Sequence, residues 1–128
     1  MNQLCGTCHR APLGDASFND WTDAWNVRHQ PVYLEQSRCF QLSAALSCIT
    51  CHRPHETLRQ SDSAYYRAKC LDCHGTGRGH TISAACGTAN SGNCVRCHMP
   101  LVRANDHMAF TNHWIGIYPQ NSKLIPVR

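Results

Sequence analysis

No stretch of the chain approaches the run of about 18 apolar residues that a membrane span needs, and strand-type alternation is scarce. The pattern of apolar and polar positions predicts short helices joined by irregular loop. The clearest helix is expected over residues 62–75, where Ser61-Asp62-Ser63 offers an N-cap before Ala64-Tyr65-Tyr66-Arg67-Ala68 and the glycine-rich tract after His74 stops it. Residues 41–52 read as another helix, and a short one is expected around 94–98. Residues 10–35, rich in Pro, Asp and Asn, read mostly as loop with one helical turn near Trp21–Asn26. Residues 76–93 read as irregular, and the tail from Ile115 to Arg128, with Pro119 and Pro126, as extended and free to lie on a neighbour. The expected fold class is mainly α with much irregular loop and little or no sheet, in a single domain over residues 1–128.

Composition changes the picture. The 128 residues allow one domain, but Phe, Trp and Tyr make up only 8% and mean hydropathy is −0.42, so side chains alone would build a thin core. Ten cysteines in so short a chain mark a fold that depends on cross-links, metal or cofactor. The net charge of +4 is modest and the 12 basic residues are spread along the chain, so there is no basic block to hold nucleic acid. Transmembrane protein, nucleic-acid binder and long coiled coil are therefore set aside. What remains is a chain organised around something it binds.

Eight of the cysteines form four pairs of one spacing, Cys5/Cys8, Cys48/Cys51, Cys70/Cys73 and Cys94/Cys97, each followed at once by a histidine: His9, His52, His74 and His98. The segments read CGTCH, CITCH, CLDCH and CVRCH. C-x-x-C-H is the attachment site of c-type haem. Each thiol adds across a vinyl group of the porphyrin, and the next residue sets an imidazole under the iron. Histidine following all four pairs by chance, at its frequency here, would occur roughly twice in 100,000 trials. Zinc is the main rival, since Cys-x-x-Cys is a tetrahedral half-site, and Cys70-Leu-Asp-Cys-His-Gly-Thr-Gly77 resembles one zinc repeat of DnaJ-type chaperones. The other three pairs lack that glycine pattern, and neither zinc nor disulfide chemistry requires the adjacent histidine. The expected cofactors are four covalently bound haem c groups, whose apolar plates supply the missing core and leave the apo-chain unable to fold. Ten of the twelve basic residues are arginine, suited to pairing with haem propionates.

Five histidines lie outside the motifs, His29, His55, His80, His107 and His113, and compete for four remaining axial positions. His55 follows His52 too closely to close over the same iron and is expected to reach an adjacent haem. His80 ends a glycine-rich loop, and His107 and His113 do not share a helix face, so they should serve different irons. His29 fits the pattern least. Among methionines, Met99 adjoins His98 too closely to cross its ring, and Met108 is a lesser candidate than the neighbouring His107. Mainly bis-histidine ligation implies low-potential, saturated irons. The aromatic residues Trp21, Trp25, Tyr33 and Phe40 of the long first gap are expected to wrap the first haem. Cys39 and Cys86 belong to no motif; because haem attachment occurs outside the cytoplasm, a Cys39–Cys86 disulfide is expected. A haem site at the very start, with no secretory leader before it, suggests a mature chain or the C-terminal part of a longer precursor.

The segment Cys94-Val-Arg-Cys-His-Met-Pro100, with Asp106-His107 and Thr111-Asn-His113-Trp-Ile115, resembles the C-terminal signature of proteins related to cytochrome c-554. Ser37-Arg-Cys39 leading to Leu46-Ser-Cys-Ile-Thr-Cys-His-Arg-Pro-His55 is similar to the same group's CxxCHxPH unit. The resemblance covers roughly residues 37–115. It implies distal ligation by His55, His107 and His113, a closely packed haem array and electron transfer in the periplasm or at the cell surface, with other redox proteins as partners. His29 stands where the family has no expected histidine. The function that follows is an electron carrier or conduit, with self-association into a haem filament as a variant. The alternatives are a multihaem oxidoreductase of the nitrite or hydroxylamine type, which needs one five-coordinate iron, and a zinc-binding interaction module.

Overall fold

The computed structural model describes residues 2–9, 19–54, 56–57, 62–75 and 92–127. Within them, helices α1 (Asn2–His9), α2 (Gln30–Glu35), α3 (Arg38–Leu42), α4 (Cys48–Cys51), α5 (Ser63–His74) and α6 (Cys94–His98) are joined by loop and one 3-10 turn, Ala24–Arg28. A two-stranded antiparallel hairpin, β1 (Leu101–Arg103) and β2 (Ala109–Thr111), follows in the register Leu101↔Thr111, Val102↔Phe110, Arg103↔Ala109. The described residues are thus mostly helix and loop with a small sheet.

The helix expected over 62–75 is α5, and its cap is Asp62, whose carboxylate accepts from the Tyr65 N–H at 2.8 Å. The helix expected around 94–98 is α6, capped by Asn93, which accepts from the Arg96 N–H at 3.1 Å. The single helix expected over 41–52 is instead two, α3 and α4, with non-helical residues between them. Ser43 and Ser47 are both extended there, and the Ser47 N–H bonds the Thr50 hydroxyl at 3.0 Å, a side-chain partner that competes with the helical ladder.

Of the stretch 10–35, residues 10–18 lie outside the described residues, and 19–35 are less loop-like than their composition suggests. The helical turn expected near Trp21–Asn26 lies slightly later, at Ala24–Arg28, because Asp23 starts it by accepting from the Trp25 N–H. Next comes α2, with Pro31 in its first turn, where a missing N–H costs nothing. Its Pro31, Val32, Tyr33 and Leu34 are all buried. Tertiary burial overrides the local turn signals.

A compact side-chain core sits where the 3-10 turn, α2 and the hairpin meet. Val27, Tyr33 and Val102 are buried, with Trp21, Ala24, Phe110, Trp114 and Leu124 packed against them. Trp21 meets Tyr33 and Trp114 edge-on, at centroid distances of 5.0 and 5.1 Å. Two of the four aromatic residues expected to wrap the first haem, Trp21 and Tyr33, are committed here.

The tail is not an outstretched arm. Val127 donates to the Ile117 carbonyl at 2.7 Å, and the Asn112 side-chain amide donates to the carbonyls of Lys123 and Leu124 at 2.9 and 3.0 Å. Residues 117–127 fold back on their own chain, with Pro126 buried against Gly116. Among the described residues, no helix is long and apolar enough to cross a membrane.

Candidate functional site

All four C-x-x-C-H motifs occupy the end of a helix. α1, α5 and α6 end on the motif histidines His9, His74 and His98, while α4 ends on Cys51 with His52 as its cap. Helical spacing puts each pair of thiols, three residues apart, on one face. The first thiol of each pair, Cys5, Cys48, Cys70 or Cys94, is half-buried, while Cys8, Cys73 and Cys97 are exposed and Cys51 is half-buried.

The motifs also neighbour one another in sequence order. Burial and then the adjoining Cys5 thiol push the Cys48 thiol up to about 11. Burial and then Cys94 push Cys70 up to about 12. Cys51 is raised by burial, against the pull of Lys69, with Cys39 and Cys73 close by. The first motif therefore lies against the second, the second against the third, and the third against the fourth. Cys39, raised chiefly by burial, joins the group between the second and third motifs. Its expected partner Cys86 lies outside the described residues, as do His55 and His80.

Three histidines share a hydrogen-bonding pattern. His98 Nδ1 lies 2.9 Å from the Gly116 carbonyl, His113 Nδ1 2.9 Å from the Thr111 carbonyl, and His29 Nδ1 3.0 Å from the Asn19 side-chain oxygen. These oxygens only accept, so each Nδ1 carries the proton and Nε2 keeps its lone pair, the form in which imidazole binds a metal. In His29, which is buried, Nε2 already faces the Arg28 guanidinium at 3.4 Å. His107 is exposed on the loop between β1 and β2, where Asn105 Oδ1 accepts from the N–H groups of His107 and Met108 at 2.9 and 2.8 Å.

The second motif and the C-terminal segment converge. The His52 and His113 rings lie 6.1 Å apart, centroid to centroid, at an interplanar angle of 39°. Tyr66 stands edge-on to His52 at 5.9 Å. Burial brings His113 down to about 4, despite the Thr111 carbonyl and with smaller contributions from His52 and His9. Burial, then His9, lowers His52. The His113 backbone is fixed by Ser37, whose hydroxyl donates to the His113 carbonyl at 3.1 Å and accepts from the Ile115 N–H at 2.7 Å. Gly116 fixes His98 in a similar way, its N–H donating to the His98 carbonyl at 3.1 Å while its own carbonyl receives the ring.

The chain matches no family model, no curated protein and no solved structure.

The residues themselves bear on what fits here. Among the described residues, no three His, Cys, Asp or Glu side chains converge as a cluster that could hold a metal ion. The motif-bearing helices carry uncovered apolar side chains, with Leu4 71% exposed on α1 and Ile49 46% exposed between the thiols of α4. Leu42 of α3 is 79% exposed. Paired thiols on one helix face, an imidazole after them and bare apolar groups nearby suit a flat, covalently held, iron-bearing plate. Sequence reasoning found these thiols and imidazoles. It gave no role to Ser37, Asn112 or Gly116, which anchor the segments that carry His98 and His113, because a side chain or glycine that bonds a distant backbone leaves no local pattern.

Proposed function

We propose that this chain is a tetrahaem cytochrome c of the cytochrome c-554-related kind, a periplasmic or cell-surface electron carrier with haem c attached at Cys5/Cys8, Cys48/Cys51, Cys70/Cys73 and Cys94/Cys97. The observation that carries this reading is the repetition of C-x-x-C-H at the end of four separate helices, with the thiols of each pair one turn apart. Haem, when bound, supplies reversible one-electron chemistry at its iron. The chain's residues supply attachment, spacing and axial nitrogen. His9, His52, His74 and His98 are the motif-side ligands. His98 is already held in the correct tautomer by Gly116, and a neutral imidazole with its other nitrogen donating to a carbonyl is a stronger base toward iron.

The succession of neighbouring motifs, Cys5 beside Cys48, Cys51 near Cys73 and Cys70 beside Cys94, supports an array ordered along the chain. Such an array gives short steps for electrons between redox partners at either end. The exposed His107 suits contact with a second copy, the arrangement a haem filament would use.

A pyridine haemochrome assay and intact mass measurement on exported protein test the reading. Four covalent haems per chain are expected; a colourless protein carrying zinc would overturn it. Electron paramagnetic resonance of the oxidised protein should show low-spin iron, whereas a high-spin centre in the wild type would favour the oxidoreductase alternative.

A further inference from the structure

We infer that His52 and His113 are the two axial ligands of one and the same iron, so that the second haem is closed by a histidine from this chain's own C-terminal segment. The inference rests on the haem reading above and adds a pairing that the motif alone does not give. Two imidazoles on opposite sides of a single iron hold their ring centres about 6 Å apart, each metal–nitrogen bond being about 2 Å and each ring centre about 1 Å beyond the nitrogen. The observed separation is 6.1 Å.

The two rings are inclined by 39°, neither stacked nor edge-on.

The tautomer fits as well. Because the Thr111 carbonyl takes the Nδ1 proton of His113, the lone pair is on Nε2. The placement is held on the C-terminal side of the residue by Ser37, through the His113 carbonyl and the Ile115 N–H, and on the N-terminal side by the Asn112 N–H, which donates to the Pro100 carbonyl at 3.0 Å. The chemistry assigned is thus bis-histidine ligation of haem by residues 61 positions apart in one subunit (113 against 52).

The test counts perturbed haems in the exported holoprotein, by haemochrome stoichiometry and by electron paramagnetic resonance relative to wild type. His113→Ala should leave four haems attached through their thioethers and convert one of them from low to high spin, with added imidazole restoring it. His52→Ala should perturb one haem, either by high spin or by loss of attachment. The double variant H52A/H113A decides: one perturbed haem of four is expected if the two rings share an iron, and two perturbed haems overturn the pairing. If His113→Ala does not accumulate, His113→Met offers a second reading. A sulfur-to-iron charge-transfer band should appear in it and vanish when His52→Ala is added; a band that persists, or never appears, overturns the pairing. Absence of haem from the wild type would refute the function rather than the pairing, and is read separately.

Discussion

Ser37 holds His113 across 76 positions of sequence, with its buried hydroxyl donating to the His113 carbonyl and accepting from the N–H two residues further on. A single atom thereby fixes the chain as it leaves the histidine. Ser37→Ala would leave a carbonyl and an N–H without that partner in a site water does not readily reach, at a cost of about 1–3 kcal/mol. Denaturant unfolding of the holoprotein should show that loss. Electron paramagnetic resonance should show one broadened or shifted low-spin species while the others stay unchanged. A variant with wild-type stability and spectra would show that the clamp has no part in placing the ring.

Gly116 plays the corresponding part for His98. Its backbone makes both bonds to that histidine, and an added Cβ would lie 2.6 Å from Pro126 Cβ. Nothing can occupy that distance, so Gly116→Ala must push either the tail or the glycine backbone aside. A loss of about 1–3 kcal/mol is expected, as for other overpacked sites. A redox titration should move one haem potential, because the second bond to the imidazole sets its basicity. Thermal unfolding and spectroelectrochemistry check the two effects independently.

Haem removal should act unequally on the chain. Helices α3 to α6 bury no side chain completely, and short isolated helices are marginal in water. The core around Val27, Tyr33 and Val102 rests on side chains alone. Protein made without haem attachment should therefore lose most far-ultraviolet helical signal. Hydrogen exchange should find no protection over 63–74 and 94–98, with any residual protection confined to 24–34 and 101–111. Protected motif helices in a haem-free sample would show that the cofactor is not what holds them.

The contrast between these regions also explains what could be read in the sequence. The motif cysteines and histidines announce themselves by spacing, and Asp62 announces the start of α5 by ordinary capping chemistry. Helix α2 was hidden because Pro31 and its polar surroundings read as loop, while the stabilising term is burial against residues about 70–80 positions away, such as Val102 and Trp114. The same holds for the tail. Pro119 and Pro126 suggest an extended strap, but Asn112 draws the chain back through two carbonyls, and nothing local to 115–127 encodes that. Asn112 itself is fully buried and stands beside His113, so the segment that carries this histidine and the fold-back share one anchor.

Tyr118 gives that anchor a dependence on pH. Its hydroxyl donates to the Trp114 carbonyl, next to His113, and burial, with a smaller effect of Tyr33, raises its pKa above the ordinary value of 10.0. The folded state therefore keeps the proton longer than the unfolded chain does. The contribution of this hydroxyl is fully present below about pH 10 and is lost as pH rises from the unfolded pKa toward the folded one, since the unfolded state releases its proton first. Tyr118→Phe removes both the hydrogen bond and the titration. At neutral pH the variant should be less stable by about 1 kcal/mol, the value of a typical hydrogen bond. Above about pH 10 the wild type should decline toward the variant and the gap should close. Denaturant unfolding of both proteins across the alkaline range measures it. A gap that stays constant through that range would place the Tyr118 hydroxyl in water, with no hold on the segment carrying His113.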